Sequence, residues 1–87
     1  MDKIIFRINN HEDILVINEN CNYVYKNKEF SKDDVLNFSS KLIKICRTRE
    51  KMNVKSKNKI EIYDKDQKIT LIGIDNQVIS FINKFLN

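Results

Sequence analysis

The chain predicts an α+β fold: one domain over residues 1–87, an antiparallel sheet with helices packed on one face, in the order β-β-β-α-β-β-α. Three observations carry that prediction. Short stretches rich in Ile, Val and Tyr alternate with Asn/Asp turns over residues 3–26. Those turns are too short for crossover connections, so the strands must run antiparallel. An apolar spacing of three and four residues then runs from Val35 to Cys46, and a hairpin pattern and a second helical pattern follow it.

Lys3–Ile8 reads as the first strand. Asn9-Asn10-His11-Glu12-Asp13 reads as a turn, because Asn and Asp tolerate the left-handed region and bond their own backbone. Ile14–Asn18 is the second expected strand and Tyr23–Lys26 the third, with the polar turn Glu19–Asn22 between them. Ser31 is placed to cap a helix, with Asp33 and Asp34 facing the positive end of its dipole. Val35, Leu36, Phe38, Leu42, Ile43, Ile45 and Cys46 fall within one half of that helix, and Lys41, Lys44, Arg47 and Lys51 within the other. The helix is expected to end near Arg49, because Arg49 and Glu50 would rotate into the apolar half. Met52–Asn58 reads as a polar loop. Lys59–Tyr63 and Lys68–Ile74 read as a hairpin around Asp64–Gln67. Asp75 caps a last helix, Asn76–Leu86. The expected core is Ile5, Ile14, Val16, Val24, Leu36, Phe38, Leu42, Ile45, Ile60, Ile62, Leu71, Phe81, Ile82 and Phe85.

Charge is the most informative feature. Lys41, Lys44, Arg47, Arg49, Lys51, Lys55, Lys57 and Lys59 face a single acid, Glu50, within nineteen residues. The rest of the chain carries eight cations and eleven acids, so the overall balance of +4 is made in one place. A local positive stripe draws anions: an acidic protein face or a phosphate backbone. Ile, Lys and Asn together make 39 of the 87 residues, the signature of A/T-rich codons, and Lys outnumbers Arg thirteen to three. Phosphate recognition more often uses Arg, whose planar fork binds two oxygens at once. The composition therefore favours a protein partner over nucleic acid.

Several classes drop out. No stretch approaches the roughly 20 apolar residues that span a bilayer, and Met1–Arg7 lacks the apolar run of a secretory leader. The expected location is cytoplasmic, and a membrane partner is not expected. Cys21 and Cys46 stand outside any CxxC pair, and a reducing compartment leaves both as thiols. Asp64–Asp75 begins like a calcium loop but places Lys68 at a ligand position and Ile69 where a glycine is needed. His11 is the only histidine, and its turn should lie at the opposite end of a strand from Cys21, so a thiol–imidazole pair is not expected. Asn37-Phe38-Ser39 matches a glycosylation triplet by chance, since Phe38 belongs to a core face. No metal, cofactor or catalytic set is implied.

The expectation is a non-enzymatic binding protein of the accessory or inhibitor kind, including those carried by phages and other mobile elements of bacteria. It would dock on a larger protein or nucleoprotein complex through Lys41, Lys44, Arg47, Lys51, Lys55, Lys57 and Lys59. Tyr23 and Tyr25 share a strand face and are the candidate aromatic anchors. Direct binding of DNA or RNA by the same basic face is the alternative. Monomer and homodimer both stay open at this level.

Overall fold

The computed structural model describes all 87 residues. Its elements are β1 (Lys3–Ile8), β2 (His11–Ile17), β3 (Tyr23–Tyr25), β4 (Lys28–Phe30), α1 (Lys32–Lys51), β5 (Lys59–Asp64), β6 (Gln67–Leu71) and α2 (Asn76–Leu86). The six strands form one antiparallel sheet in the order β4-β3-β2-β1-β5-β6. The first four strands are a meander. The α1 crossover then returns the chain to the free side of β1, which puts β1 at the centre, and both helices pack on the same face.

The caps are the expected ones. Ser31 Oγ accepts a hydrogen bond from the Asp34 amide at 3.1 Å, and Asp75 Oδ1 accepts one from the Val78 amide at 3.0 Å. Each satisfies an amide that the first helical turn leaves without a partner.

Four expectations need correction. A sixth strand, β4, follows β3. Lys26 enters the left-handed region (φ 54°), the chain reverses over Lys26-Asn27, and Phe30 pairs with Tyr23. The β1–β2 turn is two residues long rather than five. Asn9 and Asn10 both take positive φ (51° and 66°), the conformation that matches the right-handed twist of a hairpin, and His11 already pairs with Ile8.

That tight turn fixes a register opposite in face to the expected one. Ile4 pairs with Leu15, and both lie fully buried under the helices. Ile5 pairs with Ile14 on the other face, where Ile14 and Val16 are 41% and 43% exposed. In β3 the tyrosines turn inward and Val24 outward, half-buried. Ile5 is buried, but by its sheet neighbours and outside the helix-side core. On α1, Leu36 is exposed at 39%. The expected Phe38, Leu42, Ile60, Ile62, Leu71 and Ile82 are buried, while Ile45, Phe81 and Phe85 are half-buried against the core.

Finally, α1 runs past Arg49 to Lys51, and β6 stops at Leu71. The polar pair rotates inward because partners wait there. Arg49 Nε stands 3.0 Å from Asp75 Oδ2 and its guanidinium donates to Gln77, while Glu50 Oε1 accepts from the Ile72 amide at 3.3 Å. Gly73, the only glycine, sits in that link with φ 74°. A Cβ there would stand 3.2 Å from Arg49 Cβ and 3.2 Å from the Glu50 amide nitrogen. The link thus lies directly against the end of α1.

Candidate docking surface

The basic segment is continuous in sequence but not on one face. Lys41, Lys44, Arg47 and Lys51 project from the outward side of α1 and are exposed. At 100° per residue they span about one third of the helix circumference. Arg47 is held by Glu50 one turn on, at 3.2 Å. Lys41, Lys44 and Lys51 have no acidic partner within ion-pair distance.

Lys55 and Lys57 belong to the loop after α1 and are exposed. Lys57 borders a polar depression with Arg7, Asn10, His11 and Glu12, at the β1–β2 turn. Asn58 Oδ1 accepts from the Asn9 amide at 2.9 Å and ties loop to turn. Lys59 lies elsewhere. It pairs with Arg7 in the sheet ladder, so it faces away from the helices. The alternation of Ile60 and Ile62 with Glu61 and Tyr63 was the available signal, since it puts Lys59 on the polar side.

Tyr23 and Tyr25 are not an exposed pair. Tyr23 is fully buried and its hydroxyl donates to the Met1 carbonyl at 2.5 Å. Burial, with Asp2 and Asp64 nearby, raises its pKa above the usual phenol value. Tyr25 is 8% exposed, with the Lys26 ammonium 5.3 Å from its ring centre. Neither ring is free to stack on a base or a partner. The strand pairs with β4, and both rings belong to the core.

The aromatic surface is instead between the helices. Phe38 of α1 stacks on Phe81 and Phe85 of α2, with ring centres 5.3 and 4.0 Å apart, and Phe85 stacks on Phe30 at 4.8 Å. The i,i+4 spacing of Phe81 and Phe85, which sets both on one helix face, was the signal for it in the sequence.

The face of the sheet away from the helices carries Ile5, Ile14, Val16 and Val24 beside a charged network. Arg7 Nε stands 2.7 Å from Glu61 Oε1, Lys68 Nζ is 3.3 Å from Glu61 Oε2, and Arg7 also holds Glu12. The Arg7 hydrogen bond, helped by Lys68, holds the Glu61 carboxyl below its ordinary range, and Glu61 in turn raises Arg7. With Arg49 on Asp75 and Arg47 on Glu50, all three arginines are engaged.

Groups with reaction chemistry are dispersed. No three His, Cys, Asp or Glu side chains gather as a metal set. His11 opens β2, and Cys21 follows the far end of that strand, exposed in a turn at φ 63°. Cys46 is fully buried, and burial pushes its thiol up to about 11. No helix is long and apolar enough to cross a membrane. No protein-family model matches the chain, and no curated protein or solved structure is detectably similar to it.

Proposed function

We propose that this chain is a non-enzymatic binding protein that docks on an acidic surface of a larger protein or nucleoprotein complex through the outward face of α1. The observation that carries the reading is the set Lys41, Lys44 and Lys51: exposed, on one helix side and without acidic partners. They extend over about 15 Å of helix. Cations left unpaired on one rigid element give a directional field, which speeds encounter with an acidic face and sets its register. Lys55 and Lys57 add positive charge in the loop beyond the helix end, Lys57 toward the β1–β2 turn, and Lys59 lies on the far sheet face.

A protein partner is favoured over DNA or RNA because every guanidinium is already committed to a carboxylate. Lysines alone remain, and they bind phosphate as point charges without the bidentate fork.

The test compares wild type with a Lys41→Glu/Lys44→Glu/Lys51→Glu variant on two supports, immobilised polyglutamate and immobilised single- or double-stranded DNA, over a salt series from about 50 to 300 mM. The expected result is retention of wild type on polyglutamate, lost in the variant, with no steep salt slope on DNA. Equal retention of wild type and variant refutes the assigned face. A steep DNA slope that the variant loses makes direct nucleic-acid binding the correct function.

A further inference from the structure

We infer that the cleft between α1 and α2 is the anchor pocket of that docking surface, seating one apolar side chain carried by an acidic segment of the partner. The inference rests on the basic-face reading and adds to it the place where affinity is made. Charge alone on an exposed helix supplies approach and register, and a buried anchor supplies most of the hold.

The cleft has the chemistry of such a pocket. Its floor is the stack of Phe38, Phe81 and Phe85, of which Phe81 and Phe85 remain half-buried. It is an open depression of about 380 Å³, against whose phenylalanine floor one aromatic or branched side chain can lie. Its rim carries Lys41 and Lys84, both exposed and without an acidic partner, against one acid, Asp34. Apolar floor and cationic rim together select an apolar side chain flanked by carboxylates.

The position of Lys41 makes cleft and stripe one surface. Lys41 borders the cleft and also begins the row that continues through Lys44 to Lys51. A segment with its apolar residue in the cleft can lay its acids along that row. The floor is also packed from both sides, because Phe85 is stacked between Phe30 of the sheet and Phe38 of α1. A pre-formed pocket costs little ordering on binding. The depression beside His11 has no apolar wall, so it offers no comparable anchor.

The test is an ¹⁵N-resolved NMR titration of the whole chain with two synthetic peptides. Each is glutamate-rich, one with a central phenylalanine and one with alanine there. The expected result is at least about tenfold tighter binding of the phenylalanine peptide. Its shifts should centre on the amides of Phe38, Lys41, Phe81, Lys84 and Phe85. A Lys84→Glu variant, changed only at an exposed rim position, should weaken the phenylalanine peptide at least about threefold. Equal affinity of the two peptides, with shifts confined to Lys44–Lys51, overturns the pocket and leaves the basic face standing. Shifts centred on Ile14 and Val16 overturn it by placing the anchor on the open sheet face. No shift with either peptide refutes the basic face and the pocket together.

Discussion

Replacing Gly73 by alanine should destabilise this protein more than its chemistry suggests. Six other residues take positive φ, among them Asn9, Asn10, Lys26 and Lys65, and none is glycine. The left-handed backbone alone therefore does not explain the chain's only glycine. What sets Gly73 apart is its neighbour: a Cβ would stand 3.2 Å from Arg49 Cβ and from the Glu50 nitrogen. Those atoms belong to the last turn of α1, which would have to give by a few tenths of an ångström. A left-handed alanine costs about 1 kcal/mol, and crowding a packed contact adds about 1–2 kcal/mol. The sum, about 2–3 kcal/mol, corresponds to a Tm lower by about 10–20 °C in a domain of this size. Urea and thermal unfolding followed by circular dichroism measure it, with Asn10→Gly as the control. That control keeps a positive-φ position in the open and should stay within about 0.5 kcal/mol of wild type. If Gly73→Ala also falls within about 0.5 kcal/mol, the link is not held against α1, and the clamp of Arg49 on Asp75 loses its basis.

The face assignment of β2 predicts an asymmetry between neighbours. Leu15→Ala should cost about 2–5 kcal/mol by denaturant unfolding. Ile14→Ala on the open face should cost less than half of the Leu15 value, and the reverse order would mean that the sheet is turned over. Glu61 contributes stability that is complete above its ordinary value of 4.5 and is lost as pH falls through its lower folded value. Glu61→Gln should therefore be less stable than wild type at pH 7, and the gap should narrow progressively as pH falls below 4.5. A gap that stays constant with pH would show that the Arg7 pairing contributes nothing. The two thiols should separate in a disulfide-exchange assay at pH 8. Cys21, exposed, reacts at once, while Cys46, buried with its thiol near 11, reacts only on unfolding. Two fast thiols would mean that α1 does not pack as described.

What could be read in advance was what is decided locally. Ser31 and Asp75 cap their helices because a cap needs only the next three residues. The apolar side of α1 follows from spacing alone. The faces of the meander did not follow. Ile14-Leu15-Val16-Ile17 is apolar in both phases of a strand, so alternation cannot choose between them. The choice is made by the two-residue turn at Asn9-Asn10, which sets Ile4 against Leu15, and by Phe6, which meets Phe38 at 6.4 Å. β4 was hidden because Lys28 and Glu29 are two of its three residues. Arg49 and Glu50 looked too polar for the inner side of a helix, and the partners that draw them inward, Asp75 and the Ile72 amide, lie more than twenty residues away. For the proposed docking surface, exposure of the helix lysines was legible from the wheel. The inward turn of Tyr23 and Tyr25 was not, because a strand of three residues carries no phase of its own until its neighbours and the core fix one side.

The central seam of the sheet has a consequence for the order in which the chain assembles. The turns at Asn9-Asn10, Lys26-Asn27 and Lys65-Asp66 join strands that are adjacent in sequence, so their hairpins close on a scale of about microseconds. The β1–β5 ladder instead brings Ile4 to Ile62. It can zip only after α1 has spanned the gap, and that closure carries the entropic cost of the long intervening segment. Sequence separation therefore predicts two local folding units, the four-strand meander and the β5–β6 hairpin, that meet late across β1. Until they meet, both sides of that seam are unpaired strand edges. Open edges invite pairing with another chain, so on this order the interval before β5 docks is the stage at which aggregation is expected.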